Sequence, residues 1–155
     1  LAYQKGYEDI YTAMKDDALV EAARAVWKET GTLLEEKYGF DKATHEAYVK
    51  TTEGRFRNPH LSDAVTRVAR GPVRKLGAKD RLVSPAEQLI ERGYEPKALA
   101  RVIAAAFHFD FEGDKEAVEV QSYIREHGME DAICHFTGTE KGGKLYNLIE
   151  EALKA

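Results

Sequence analysis

Residues 96–107 read Pro-Lys-Ala-Leu-Ala-Arg-Val-Ile-Ala-Ala-Ala-Phe, and this stretch decides the fold class of the chain. Its apolar side chains recur at steps of three and four residues, as on one face of an α-helix, and this stripe consists of Leu99, Val102, Ile103, Ala106 and Phe107. Alanines at positions 100, 104 and 105 make the opposite face apolar as well. Because a helix that is apolar nearly all round is buried, the stretch predicts the central core helix of the protein.

Helical periodicity extends over most of the remaining sequence. It predicts one helix that begins at the Ser-Pro-Ala-Glu segment of residues 84–87, and others that cover residues 18–38, 42–57, 63–70, 114–126, 130–135 and 142–154. Asp41, Ser62 and Ser84 are residue types that cap a helix N-terminus, and Gly39 is a typical C-terminal stop. No run of alternating apolar residues indicates a strand. We therefore predict an all-α, multi-helix domain over residues 1–155.

The first residues of the chain carry an aromatic stripe. Its members fall on one helical face and are Tyr3, Tyr7, Ile10, Tyr11 and Met14. No capping residue precedes them, so we expect a helix that is already under way at Leu1 and a chain that is a fragment of a larger protein.

Composition excludes several classes of protein. With 43% apolar and 32% charged residues among 155, the chain predicts a soluble globular domain. No apolar run approaches the ~18 residues that a membrane span needs, and we expect a cytoplasmic protein. The single cysteine, Cys134, and five dispersed histidines lack the spacing of a zinc site, so we expect no bound metal.

Basic side chains are concentrated between Arg55 and Arg81. This segment contains eight basic and two acidic residues, a net charge of +6, whereas the whole chain has a net charge of −4. Clustered cations repel each other unless an anion lies among them, so the segment is a candidate phosphate site. The alternative is that these side chains lie on a solvated surface and pair with acids elsewhere.

Four side chains in this segment are the candidate phosphate ligands. Arg67 and Arg70 lie three positions apart on a predicted short helix and can leave the same face, while Arg74 and Lys75 follow on the predicted loop beyond it. Arginine offers paired donors in a fixed geometry and lysine a mobile point charge, which together suit a phosphate group. Asp80, flanked by Lys79 and Arg81, is interpreted as a local ion-pair partner.

No catalytic site can be identified in the chain by itself. It has no glycine-rich turn for a dinucleotide, no phosphate-binding loop and no nucleophilic serine elbow. His108, at the end of the predicted central helix, is interpreted as a buried core histidine rather than a catalytic base. We therefore expect no catalytic residue in this chain.

Five short segments, taken in order, point to a known family. They are Gly31…Lys37-Tyr38-Gly39-Phe40-Asp41, Arg55-Phe56-x-Asn58-Pro59-x-Leu61-x-Asp63, Arg67-Val68-x-Arg70-x-Pro72-x-Arg74-Lys75-Leu76, Asp80-Arg81-Leu82 and Ala104-Ala105-Ala106-Phe107-His108-Phe109. From about Leu1 to Gly138, their order and spacing resemble the helical C-terminal domain of the long-chain polyol dehydrogenases, the mannitol dehydrogenase family, and within it the branch that acts on mannitol 1-phosphate. Residues 139–155 have no clear counterpart.

The resemblance implies an oxidoreductase that interconverts mannitol 1-phosphate and fructose 6-phosphate. In that family an N-terminal nucleotide-binding domain, lacking here, binds NAD, and a catalytic Lys-x4-Asn-x2-His segment would lie upstream of Leu1. The chain alone is therefore expected to be inactive. By resemblance, Arg67 and Lys75 are the first choices for contacting the polyol or its phosphate, Arg70 and Arg74 the second, and Arg55 and Asn58 shape the site.

Three alternatives stay open at this point. A related polyol or hexuronate dehydrogenase would need fewer cations. A non-enzymatic helical module could use the basic segment on nucleic acid, although the overall acidity and the lack of interleaved aromatics argue against nucleic-acid binding. A protein-interaction scaffold could use the tyrosine stripe as its docking face.

Overall fold

The computed structural model describes all 155 residues and contains only helices and their connections. There are ten α-helices and one 3-10 helix: α1 Ile10–Ala13, α2 Asp17–Tyr38, α3 Lys42–Phe56, the 3-10 helix Pro59–Leu61, α4 Val65–Ala69, α5 Pro72–Leu76, α6 Val83–Glu91, α7 Lys97–Phe107, α8 Lys115–His127, α9 Met129–Thr137 and α10 Lys144–Lys154. An isolated bridge between Asp9 and Ala64 is the only β-type pairing. The predicted all-α class is confirmed.

The chain divides into two compact units, Leu1–Val68 and Ala69–Ala155. In the first unit, α2 and α3 form a helical hairpin joined by a tight connection. Gly39 ends α2 with a φ of 62°, a left-handed conformation that favours glycine, and Asp41 begins α3 by accepting a hydrogen bond from the amide of Thr44. Both boundaries agree with the sequence prediction.

The second unit is built around α7, which packs against α10, α6 and α5. Leu99, Ile103 and Phe107 are almost completely buried along α7. The predicted central helix is therefore confirmed, but its buried face is rotated relative to the predicted stripe. Val102 and Ala106 are only half-buried, whereas the alanines at positions 100, 104 and 105 are buried.

The predicted N-terminal helix is wrong in its extent. Residues 1–9 form turns, and Gly6 has a φ of 77°, which a regular helix does not accommodate. Helix α1 is a single turn that begins after Asp9, whose side chain accepts a hydrogen bond from the amide of Thr12. The tyrosines of the stripe therefore do not form one helical face. Tyr7, for example, donates its hydroxyl to Asp16 at 3.1 Å.

Two predicted caps are also wrong. Ser62 accepts a hydrogen bond from the amide of Tyr11 and donates to Asp9, so it joins distant segments instead of capping α4. Ser84 lies inside the first turn of α6, which begins at Val83 without a side-chain cap. In both cases the serine hydroxyl hydrogen-bonds to a group other than the helix amide that a cap would bind.

None of the helices combines the length and apolarity that crossing a bilayer requires. His108 is exposed just beyond α7, so its interpretation as a core histidine is wrong. The ring of the neighbouring Phe109 is buried instead.

Candidate phosphate site

The basic segment spans several short elements rather than one helix and a loop. Arg74 and Lys75 lie on α5, a five-residue helix, so their predicted placement on a loop is wrong. Arg70 lies between α4 and α5, and Arg81 precedes α6. These four residues belong to the second unit, whereas Arg67 belongs to the first.

Helix α5 is anchored by apolar contacts on the side away from its basic residues. Pro72 and Leu76, four positions apart on the same face, are almost completely buried, and α5 packs against α8, α7 and α9. Gly71 precedes the helix with a φ of 73°, a left-handed conformation that sets the entry angle of the chain. This anchoring leaves Arg74 exposed and Lys75 half-buried on the other side.

Lys75 is affected by the charges of three other basic residues, and together Arg70, Arg74, Lys75 and Arg81 are called the phosphate cluster below. Burial lowers the pKa of its ammonium group, and the positive charges of Arg81, Arg74 and Arg70 lower it further, while the carboxylate of Asp114 acts in the opposite direction. Three neighbouring cations therefore act on Lys75 against the carboxylate of Asp114. A side chain whose pKa is shifted by both burial and specific neighbouring charges is typical of a functional site. Here the neighbouring charges are positive, so a bound anion would stabilise the charged form of Lys75.

The other cations of the cluster retain free donors. Arg70 and Arg74 form no salt bridge. Arg81 donates through Nε to Oδ1 of Asp80 at 3.0 Å, which leaves its terminal nitrogens outside that bond. The amide and the guanidinium of Arg81 hold the pKa of Asp80 below its usual value, so the predicted local ion pair of Asp80 is present. Guanidinium groups with unused donors can bind a phosphate in a bidentate manner.

The remaining predicted site residues lie in the first unit. Arg67 pairs with Asp63 at 2.9 Å across one helical turn, and both side chains are well exposed. Such exposed pairs contribute only about 0–1 kcal/mol, so an incoming phosphate can compete for Arg67. Asn58 caps the 3-10 helix by accepting from the amide of His60 at 2.9 Å, and Arg55 is exposed at the end of α3 without an ion pair.

A concavity of about 680 Å³, lined by none of the phosphate-cluster residues, lies in the groove between α2 and α3. At one end, Glu53 accepts hydrogen bonds from Arg24 Nε and Nη2, each at 2.9 Å, and from Arg57 Nε at 3.0 Å. The hydrogen bonds from Arg24 in particular lower the pKa of Glu53. The lining of this groove contains five basic and three acidic side chains, and Glu53 pairs with two of the basic ones, Arg24 and Arg57.

Two residues that act on Lys75 were not identified as site residues from the sequence. Arg81 is counted in the basic segment but is not among the four candidate ligands, and Asp114 enters the sequence analysis only as the start of a predicted helix. Asp114 lies far from Lys75 along the chain, so no local pattern could have linked them. The structure contains no group of three or more His, Cys, Asp or Glu side chains suited to a metal ion.

Comparison with known proteins identifies relatives over nearly the whole chain. A family described as the mannitol dehydrogenase C-terminal domain matches residues 1–140. A mannitol-1-phosphate 5-dehydrogenase from Brevibacillus brevis is 44% identical over 151 residues, which cover 97% of this chain and 39% of the relative. The enzyme of that name from Bacillus subtilis is 42% identical over 153 residues, with coverages of 99% and 40%. The chain thus spans about 40% of the length of these curated relatives.

Proposed function

The chain belongs to the mannitol dehydrogenase C-terminal domain family, and on that basis we propose that it is the substrate-binding domain of an NAD-dependent mannitol-1-phosphate 5-dehydrogenase. The reaction would interconvert mannitol 1-phosphate and fructose 6-phosphate. The observation that carries the proposal is the group of Arg70, Arg74 and Arg81, whose positive charges all act on Lys75. This excess of positive charge suits a phosphorylated substrate better than a free polyol.

In this proposal the domain binds the phosphate and thereby orients the rest of the substrate. Arg70 and Arg74 offer paired N–H donors, and Lys75 adds a charge whose unfavourable surroundings a phosphate dianion would relieve. Binding energy gained at the phosphate, far from the reacting carbon, can then hold that carbon in a productive orientation. Arg67 is proposed as a further contact to the polyol or phosphate.

Arg55 and Asn58 are proposed to shape the site rather than to contact substrate. The side-chain oxygen of Asn58 already accepts from the amide of His60, so it holds the turn that follows α3. Asn58 therefore supports the backbone between α3 and α4.

The residues of this chain do not fit NAD. A doubly wound dinucleotide site needs a strand, a glycine-rich turn and a helix, and this chain contains no strand. NAD, which would accept the hydride, enters the proposal only as the ligand of an N-terminal nucleotide-binding domain of the full-length protein. Cytoplasmic localisation is part of the same proposal.

The experiment that tests the proposal measures steady-state kinetics of the full-length protein with Lys75→Met and Arg67→Ala. Loss of one charge-assisted contact should raise KM for mannitol 1-phosphate about ten-fold or more, with KM for NAD unchanged. Methionine keeps the aliphatic stem of Lys75 and removes a charge that burial disfavours, so the melting temperature should not fall.

Lys79→Met is the matched control, because it removes the same charge from an exposed lysine of the same segment. It should leave KM for mannitol 1-phosphate unchanged. Unchanged kinetics in both test variants would remove Lys75 and Arg67 from the site. Equal kcat/KM for mannitol and mannitol 1-phosphate in the unmodified protein would instead favour a dehydrogenase of free polyols.

A further inference from the structure

We propose that Asp114 and Glu116, at the start of α8, are positioning residues for the phosphate site. Through hydrogen bonds to backbone amides they hold α5, the short helix that carries Arg74 and Lys75, in the orientation that phosphate binding requires. This inference rests on the proposed function of the basic cluster, and it adds two acidic residues to a site otherwise described by its cations.

Helix α5 depends on partners outside itself. It has five residues, too few for a stable isolated helix, and the amide groups of its first turn have no partners within the helix. Its N-cap is Gly71, which has no side chain to accept a hydrogen bond, and Pro72 contributes no N–H group. The remaining N–H groups at this end therefore need acceptors from another element.

Two carboxylates of the α8 N-terminus supply these acceptors. The amide of Gly71 donates to Oδ2 of Asp114 at 2.7 Å, and the amide of Arg74 donates to Oε2 of Glu116 at 3.1 Å. Hydrogen bonds to ionised acceptors are roughly twice as strong as neutral ones. Negative charge at the beginning of α5 also stabilises the helix dipole, so both effects favour the observed placement.

Asp114 connects the two helices because each of its oxygens serves a different one. Oδ1 caps α8 by accepting from the amides of Glu116, at 2.9 Å, and Ala117, at 3.2 Å, while Oδ2 binds Gly71. A shift of α5 relative to α8 would therefore break the Gly71 hydrogen bond. The same carboxylate also acts on Lys75, where it raises the pKa against the lowering effect of burial and of the neighbouring arginines. Asp114 thus holds α5 in position and favours the charged form of Lys75.

Asp114→Asn in the full-length protein removes the acceptor for Gly71 and the negative charge together, and keeps the cap of α8. Asparagine keeps an oxygen that can cap α8, but its amide nitrogen replaces Oδ2 and accepts no hydrogen bond from Gly71. We expect KM for mannitol 1-phosphate to rise about ten-fold, KM for NAD to change less than about two-fold, and kcat to change little.

A pH profile distinguishes positioning from a merely structural role. The positive charges of Arg81, Arg74 and Arg70 lower the pKa of Lys75 and the carboxylate of Asp114 raises it, while the nearby carboxylates of Asp80 and Glu116 bind Arg81 and the Arg74 amide. In Asp114→Asn, Lys75 should therefore lose its proton at lower pH than in the unmodified protein. The basic limb of kcat/KM for mannitol 1-phosphate should move to lower pH, whereas an unmoved limb together with unchanged KM would overturn the proposal.

Glu116 provides an independent test should Asp114→Asn fail to fold. Glu116→Ala removes the acceptor for the Arg74 amide, and Glu116→Gln retains one oxygen, so Gln should restore the KM that Ala raises. Equal KM values for Ala, Gln and the unmodified protein would overturn the proposal. Asp41→Asn is the matched control, since Asp41 bonds only to Thr44 within α3, and it should leave KM unchanged.

Failure of this inference is distinguishable from failure of the proposed function. If Lys75→Met raises KM for mannitol 1-phosphate and Asp114→Asn does not, the phosphate site stands and the positioning role is wrong. If Lys75→Met also leaves KM unchanged, the site itself is wrong and Asp114 has nothing to position.

Discussion

Replacing Gly31 with alanine should destabilise the α2–α3 hairpin, although alanine is the better helix former. A Cβ atom at Gly31 would lie 2.5 Å from Nε2 and 2.6 Å from Cδ2 of His45. The His45 ring is held in place because its Nε2–H donates to the carbonyl of Trp27 at 3.0 Å. Alanine therefore requires the ring to move away from its hydrogen-bond acceptor.

The expected magnitude combines three contributions. Alanine in a helix interior stabilises by about 1 kcal/mol relative to glycine. Overpacking costs about 1–3 kcal/mol, and loss of the His45 hydrogen bond costs about 1 kcal/mol. The net effect is a loss of about 1–3 kcal/mol in the free energy of unfolding, measured by urea denaturation.

Gly54→Ala is the matched control, because Gly54 lies in α3 and a Cβ atom added there would have no neighbouring atom within 4 Å. This substitution should stabilise by about 0.5–1 kcal/mol from helix propensity alone. The double variant Gly31→Ala/His45→Ala should be more stable than Gly31→Ala, since the clash is then absent. If Gly31→Ala stabilises as much as Gly54→Ala, the steric reasoning is wrong.

Three further predictions concern stability. The Tyr146 hydroxyl is buried without a hydrogen-bond partner, so Tyr146→Phe should leave the free energy of unfolding unchanged or raise it by about 1 kcal/mol in urea denaturation. Thr137→Val should lower the free energy of unfolding by about 1 kcal/mol, because the Thr137 hydroxyl donates to the carbonyl of Ile133. Equal changes for Tyr146→Phe and Thr137→Val would contradict this reasoning. Hydrogen bonds from Lys5, Tyr7 and two backbone amides hold the pKa of Asp16 below its usual value of 3.8. The stability that these hydrogen bonds confer is therefore present above pH 3.8 and is lost as the pH falls through the lower pKa of the folded state. Melting temperatures between pH 5 and 2 should fall less steeply for Asp16→Asn, and parallel curves would refute this assignment.

Helix identity and most helix ends could be predicted because they depend on neighbouring residues. The α7 helix, the Gly39 stop and the Asp41 cap depend on contacts within a few positions along the chain, and each appears in the structure, although the buried face of α7 is rotated from the predicted stripe. The excess of positive charge between Arg55 and Arg81 could likewise be counted from the sequence. Where a local signal had a competing distant partner, as at Ser62, the prediction was wrong.

The family resemblance also came from the sequence, through the order and spacing of five short segments. What the sequence determined by itself is therefore the helical class, the Gly39 stop with the Asp41 cap, and the presence of a basic segment. Only the tertiary structure decided which basic residues face Lys75, that Arg81 is among them, and that Asp114 and Glu116 support α5. The physical reason for the last of these is distance along the chain: Gly71–Asp114 and Arg74–Glu116 are 43 and 42 positions apart, and they come together only because Pro72 and Leu76 bury one face of α5 against the core.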